Sequence, residues 1–162
     1  MIAVANAGPL IALAQIDHFN LLELLYGQLY IPRAVRDEVV TSGAGRPGTL
    51  EVDSADWIQL VNVRDATAVQ LLKERLGAGE SEAVVLAIQL EADLLLMDET
   101  RGRRMAEARC LNVIGTVGTL VVSKKRGLIT AVTPLLDALV ASGFRMSEEL
   151  YEIARVLAGE AK

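Results

Sequence analysis

The sequence has few of the residues on which many functional sites depend. It contains one cysteine, Cys110, and one histidine, His18, among 162 residues. A single cysteine excludes a disulfide within the chain and a zinc site built on cysteine. His18 stands in a polar turn, where a surface histidine without a catalytic role is the ordinary case. Aromatic residues make up only 4% of the chain against 52% hydrophobic residues, so the core must be packed from aliphatic side chains.

Long apolar runs and an excess of basic charge are also missing. Charged or polar residues interrupt every apolar stretch before the roughly 20 residues needed to span a bilayer. No basic segment typical of a signal peptide opens the sequence, and we therefore expect a soluble, cytoplasmic protein. Asp and Glu outnumber Lys and Arg by 21 to 16, which argues against binding nucleic acid by bulk charge. An acidic site that holds metal ions stays compatible with phosphate, because the cations supply the positive charge.

Strand and helix patterns alternate along the chain. Short apolar runs predict strands at Ile2–Ala5, Leu29–Ile31, Trp57–Val63, Asp93–Met97 and Asn112–Ile114. Helical spacing predicts helices between these runs, with two more from Thr133 to Gly159 around a break at 142–144, and a mobile loop at Ser42–Gly48. This alternation predicts an α/β fold, a three-layer α/β/α sandwich with a mainly parallel central sheet. We expect a single domain over residues 1–162, with residues 131–162 as a C-terminal helical extension packed on it.

Acidic and amide side chains follow the predicted strands or open the predicted helices. Asn6 ends the first strand and Asp98 the fourth, while Glu38, Glu80 and Glu82 lie on or near helix starts. Each has an ordinary structural explanation, because acids in a first helical turn favour the helix dipole by roughly 0.3–1 kcal/mol. Ligands of a parallel sheet bind beyond the carboxyl ends of its strands. The joint occurrence of these side chains there is what predicts a functional site.

Five segments in a fixed order carry a resemblance to a known family. They are Asn6–Leu13, Ile31–Val35 leading to Glu38, Gly79–Ala83, Leu94–Glu99 and Val113–Gly118. With these segments the chain resembles the PIN-domain nucleases, in particular the branch similar to the toxins of bacterial and archaeal toxin–antitoxin pairs. The resemblance implies a site of three or four acids that holds one or two Mg²⁺ or Mn²⁺ ions and cleaves single-stranded RNA through activated water.

The resemblance also implies which residues form the site. Carried over by position, the metal ligands and catalytic residues are Glu38, Glu82 and Asp98, with Asn6 where the family usually has Asp. Glu80 is a second candidate ligand beside Glu82. Since residues two apart on a regular helix do not face the same way, we expect one of them to be the ligand and the other a neighbour or a cap. An Asn carbonyl ligates Mg²⁺ without charge, and a unit-charge contact near 4 Å is worth on the order of 4 kcal/mol at a dielectric of about 20. Metal affinity should therefore be lowered.

Basic and hydroxyl side chains near the predicted site offer contacts to phosphate. We predict that Arg101 and Arg103, directly after Asp98, bind substrate, although a solvated helix face explains them equally well. Thr116 is a third substrate-binding candidate, which either caps its helix or orients a water molecule.

Three functions are compatible with these features. The first is a metal-dependent endoribonuclease, including the role of a toxin restrained by a small antitoxin protein. The second, motivated by Asn6, is a catalytically weakened module that acts by binding RNA or protein. The third is a phosphate-receiving signalling domain, which needs an acidic pair after the first strand, where this chain has Asn6 and Ala7. The apolar stripe of the last helices is either core or a dimer face, and we expect a homo-oligomer.

Overall fold

A five-stranded parallel sheet forms the centre of the protein. The computed structural model describes residues 1–161. The strands are β1 (Ala3–Ala5), β2 (Leu29–Ile31), β3 (Ile58–Leu60), β4 (Leu94–Leu96) and β5 (Val113–Ile114). Their order is β3-β2-β1-β4-β5, and every neighbouring pair is parallel. β1 is buried along its whole length, as expected for a central strand covered on both faces. The predicted parallel α/β fold is confirmed.

Ten α-helices flank the sheet within residues 1–161. They are α1 (Ala7–Gln15), α2 (Leu21–Tyr26), α3 (Arg33–Arg36), α4 (Thr49–Ser54), α5 (Ala66–Leu72), α6 (Ala78–Gln89), α7 (Thr100–Glu107), α8 (Thr116–Lys125), α9 (Thr133–Ala141) and α10 (Glu148–Leu157). A π-helical turn, Asp37–Thr41, continues α3. No helix in this part of the chain is long and apolar enough to cross a membrane.

Two helices differ from the sequence prediction. The pattern Gly77-Ala78-Gly79 predicts a break before a helix that starts at Ser81, but α6 already begins at Ala78, with Gly77 extended as its N-cap. α4 was not predicted. It follows the glycine-rich segment 42–48, where the Thr49 hydroxyl donates to the carbonyl oxygens of Val39 (3.0 Å) and Gly43 (2.6 Å). Because α6 begins three residues early, Glu80 and Glu82 both lie inside the helix.

The last two helices and the turn between them, residues 133–157, are called here the C-terminal hairpin. Leu136 and Leu139 of α9 and Ala154 of α10 are buried in the common core. The Glu160 carboxylate accepts hydrogen bonds from the Val132 amide at 2.6 Å and the Thr133 amide at 2.9 Å, which caps the start of α9.

Glu160 also connects the hairpin to α8. Its carboxylate accepts from the Thr133 hydroxyl at 2.7 Å and from Lys124 Nζ of α8 at 2.8 Å. Burial acts to raise the pKa of Glu160, but the bonds from Lys124, Thr133 and the Val132 amide outweigh it and lower the pKa to about 2. The hairpin is therefore attached at its start by a charged anchor.

Candidate active site at the carboxyl edge of the sheet

A cavity lies where the strand order reverses. Successive strands add on one side of β1 and then, from β4, on the other, and parallel α/β sheets bind ligands at such a switch point. The cavity has a volume of about 810 Å³, within the range of roughly 300–1,000 Å³ found for ligand sites. Its polar lining consists of Asn6, Glu38, Glu80, Asp98, Glu99, Thr100, Arg103 and Arg145. Most of the side chains predicted for the site thus meet in one cavity.

Asp98 is held in place by the first turn of α8. Its Oδ1 accepts from the Thr116 amide at 2.7 Å and its Oδ2 from the Thr116 hydroxyl at 2.7 Å. The N-cap residue, Gly115, has no side chain, so Asp98 caps α8 from a distant strand. A Cβ atom on Gly115 would lie 2.7 Å from Asp98 Oδ1, and one on Gly8 would lie 3.3 Å from Oδ2. A side chain on Gly115 would displace the carboxylate, and one on Gly8 would crowd it.

Asn6 and Glu38 face the same point on α6. The Asn6 amide nitrogen of the main chain donates to Leu96 O at 2.9 Å, which extends β1 alongside β4. Its side-chain Oδ1 is buried and has no hydrogen-bond partner within the described residues. A Cβ atom on Gly79 would lie 3.3 Å from this oxygen and 3.2 Å from Glu38 Oε1. Leaving a buried acceptor unpaired costs about 1–3 kcal/mol of folding stability. Such an oxygen in a native protein is therefore a candidate to bind a ligand or an ion.

Glu38 comes from the π-helical turn Asp37–Thr41. π-Helical turns are rare in proteins, and those that occur are often found at functional sites. Burial raises the pKa of Glu38, and the negative charge of Glu80 raises it further. The two carboxylates therefore repel each other across the cavity, an arrangement that a cation would relieve.

Glu80 and Glu82 have different surroundings. Glu80 lines the cavity, and burial, followed by the charge of Glu99, raises its pKa, while the Gly77 amide and Arg101 act to lower it. Glu82 lies outside the cavity lining, and its Oε1 accepts from the Ala34 amide at 3.1 Å, at the start of α3. Residues two apart on a helix are separated by about 200° around its axis, so one acid faces the cavity and the other faces α3. The sequence prediction preferred Glu82, whereas the geometry favours Glu80.

Burial raises the pKa of Asp98, although the two Thr116 bonds and the nearby Arg103 act against the shift. Three carboxyl groups around one cavity, at positions 38, 80 and 98, thus have raised pKa values. Such a cluster is typical of a functional site.

The three residues predicted to bind substrate have different surroundings in the structure. Arg103 lines the cavity, and its Nη1 donates to Met97 O at 3.3 Å. Arg101 is not part of the lining, and its Nη1 donates to Arg75 O at 3.2 Å. Thr116 is fully buried. It therefore positions Asp98 and has no exposed surface with which to touch a substrate.

Sequence reasoning missed one wall of the cavity. Phe144, Arg145 and Leu150 of the C-terminal hairpin line it together with the acids. The sequence pattern predicts only a helix break around Phe144, and it contains nothing that places this residue near Asp98.

The oxygen donors of the cavity fit a hydrated divalent cation. Within residues 1–161, no three Asp, Glu, His or Cys side chains come close enough together to hold a metal ion. Mg²⁺, however, is commonly bound by one or two carboxylates and keeps several water ligands. Asn6 Oδ1 and Glu38 Oε1, which both lie within 3.3 Å of the position that a Cβ on Gly79 would take, are oxygen donors of this kind. The residues present therefore fit a divalent cation that keeps several water ligands better than an ion that requires a complete protein cage.

A parallel α/β sheet with a carboxylate-lined cavity at its switch point defines a class of domain suited to phosphate chemistry with metals. A family model described as PIN domain matches residues 2–160. The chain therefore belongs to the PIN-domain family. PIN domains are generally nucleases, a kind of hydrolase, and generally use divalent metals. No curated protein matches the chain.

Proposed function

We propose that this protein is a Mg²⁺- or Mn²⁺-dependent endoribonuclease that hydrolyses phosphodiester bonds of single-stranded RNA. The observation that carries the proposal is the buried, unpaired Asn6 Oδ1 beside Glu38 Oε1 at Gly79. Asn6 and Glu38 both line the cavity, together with Asp98 and Glu80.

The chain's own residues have separate roles in this mechanism. Asn6, Glu38, Glu80 and Asp98 would hold the ion, and Thr116 keeps Asp98 oriented through both carboxylate oxygens. A bound divalent ion supplies an activated water for attack at phosphorus and offsets the phosphate charge.

Arg103, beside Asp98 in the cavity, offers guanidinium donors to phosphate oxygens. The concave cavity favours an unpaired strand, whose bases can turn inward, over a rigid duplex.

The proposal is tested by cleavage of a labelled single-stranded RNA with Mn²⁺, with Mg²⁺ and with EDTA. Glu38→Gln and Glu80→Gln should abolish cleavage, because each removes a charged oxygen from the site while keeping the side-chain shape. Glu107→Gln is the matched control, since Glu107 is exposed at the end of α7, away from the cavity lining. Cleavage that survives EDTA, or that survives Glu38→Gln, would contradict the mechanism.

We further propose that the nuclease acts in the cytoplasm as the toxin of a toxin–antitoxin pair and forms a homo-oligomer. The support is the resemblance of the segments Asn6–Leu13 and Leu94–Glu99 to the toxin branch. Growth arrest on expression, relieved by a small protein encoded beside it and absent in Glu38→Gln, is the expected result. Light scattering on the purified protein measures the oligomeric state.

A second candidate is a PIN domain with weakened catalysis that acts by binding RNA or protein. Two observations favour it, namely the uncharged Asn6 and the lack of a three-acid metal cluster in residues 1–161. Titration calorimetry separates the two functions. No heat with millimolar Mn²⁺, together with intact RNA binding, would favour this candidate over the enzyme.

A further inference from the structure

One wall of the acidic cavity comes from the C-terminal hairpin and has no part in holding a cation. Phe144, Arg145 and Leu150 line the same cavity as Asn6 and Asp98. Phe144 is half-buried and packs against the core, and Arg145 is exposed. The accessible parts of an aromatic ring and of a guanidinium group thus border the site where the acids meet.

The backbone fixes the position of this wall. Gly143 has φ 98°, and the amides of Gly143 and Phe144 donate to the carbonyl oxygens of Val140 (3.1 Å) and Leu139 (3.0 Å). These two bonds are the Schellman pattern that ends a helix with a left-handed glycine. On the other side, Ser147 Oγ caps α10 by accepting from the Leu150 amide at 3.0 Å. The turn is short and held at both ends, so its backbone is fixed before any ligand arrives.

A structural role explains only part of this arrangement. The residue after a Schellman glycine usually makes an apolar contact with the helix, and Phe144 does so, but an aliphatic residue would serve. Arg145 forms no ion pair with any residue from 1 to 161. An aromatic ring followed by a free guanidinium is the combination that binds single strands, because bases stack on the ring and the guanidinium binds phosphate.

The charge of the cavity makes this contact useful. Glu38, Glu80, Asp98 and Glu99 line it against the single cation Arg103 on the α7 side. A phosphate backbone entering this cavity is repelled unless another cation meets it. Arg145 supplies that charge from the hairpin side without depending on a metal ion.

We propose that Phe144 and Arg145 are substrate-binding residues that hold the RNA next to the bond that is cut. Phe144 stacks on one unpaired base, and Arg145 binds a phosphate of the adjoining nucleotide. The inference rests on the proposed function for its substrate, single-stranded RNA, but concerns binding, which does not need the metal. It assigns to the C-terminal hairpin a direct part in choosing unpaired RNA over duplex.

The test measures binding of a short fluorescein-labelled oligouridylate by anisotropy in EDTA, so that cleavage does not interfere. Phe144→Leu keeps the apolar contact but removes the ring, and Arg145→Gln removes the charge. Each should weaken binding on the order of ten-fold, and Phe144→Trp should restore it. Arg145→Gln should also reduce the slope of log affinity against log salt by about 0.7, the value for one phosphate contact on a single strand. The control is Arg109→Gln, which should leave binding unchanged. Arg109 is exposed, precedes the amino end of β5 and is absent from the cavity lining.

The outcomes separate this proposal from the nuclease proposal. Binding lost in both variants, with unchanged Mn²⁺ heats and melting temperatures, supports the hairpin wall even if the wild type fails to cleave RNA. Cleavage by the wild type with unaltered RNA binding by both variants overturns the wall and leaves the nuclease standing. A wild type that does not bind the oligouridylate or a matching oligoadenylate overturns the wall as well.

Discussion

The different surroundings of Glu80 and Glu82 allow the candidate site to be tested by a pair of matched substitutions. Glu80→Ala and Glu82→Ala remove the same side chain from the same helix, two residues apart, so their effects on helix propensity cancel. Glu82→Ala leaves the Ala34 amide at the start of α3 without its acceptor. Loss of such a cap costs about 0.5–2 kcal/mol. For a domain of this length that lowers the melting temperature by roughly 2–4 °C per kcal/mol.

Glu80→Ala should act in the opposite direction when metal is absent. Because folding raises the pKa of Glu80, the carboxyl is neutral in both states and costs nothing below its ordinary pKa; the cost of its charge grows as the pH rises from that value to the folded pKa and is complete above it. At pH 7 the substitution therefore relieves burial of charge and repulsion from Glu99, and the melting temperature should stay or rise. With Mn²⁺ at a hundred times its dissociation constant, the wild type gains about 2.7 kcal/mol, or roughly 5–10 °C. Glu80→Ala should lose most of that gain, and Glu82→Ala should keep it.

Differential scanning fluorimetry of the wild type and both variants, in EDTA and in Mn²⁺, measures all six melting temperatures. The reasoning is refuted if Glu82→Ala abolishes the Mn²⁺ shift without lowering the melting temperature in EDTA, because Glu82 would then be the ligand and Glu80 the bystander. Equal behaviour of the two variants would refute it too.

Three further substitutions test the cavity and the anchor of the C-terminal hairpin. Asn6→Asp should strengthen Mn²⁺ binding by at least about ten-fold in calorimetry and lower the melting temperature in EDTA, because it adds a charge beside Glu38; an unchanged affinity would remove Asn6 from the site. Gly79→Ala should weaken Mn²⁺ binding, since its Cβ lies 3.3 Å from Asn6 Oδ1, while a gain in helix propensity of up to about 1 kcal/mol protects the fold. Glu160→Gln should cost roughly 1–3 kcal/mol at pH 7 in urea unfolding. Its lowered pKa makes the wild-type contribution present above the ordinary value of 4.5 and lost as the pH falls to about 2, so the two proteins should converge in acid.

Much of the fold could be predicted because the sheet is parallel and buried. Runs such as Leu94–Leu96 are apolar throughout, and each is bounded by the polar residues that open the next helix. The two differences came from glycine. Gly79 lies inside α6 although glycine disfavours helices, because a side chain there would meet Asn6 and Glu38. A local pattern cannot contain that reason, since both neighbours are distant in sequence.

The candidate site was predictable as a set of positions but not in detail. Asn6 and Asp98 follow adjacent strands, and the strand-end rule brings them to one edge without further information. The choice between Glu80 and Glu82 depended on whether Glu80 belongs to α6 and on which side of the helix faces the cavity. Phe144 and Arg145 come from a turn whose approach to the cavity depends on packing of the C-terminal hairpin. Only tertiary structure reveals that approach.

The two bonds from Thr116 to Asp98 bear on how related chains that lack activity should be interpreted. Asp98 caps the start of α8 as well as facing the cavity, so an acid at this position would stabilise the fold even in a chain without catalytic activity. Its presence in another chain is weak evidence of an active enzyme. Glu38 accepts no hydrogen bond within residues 1–161 and is buried at a cost, so a chain that does not need this carboxylate would be stabilised by its replacement.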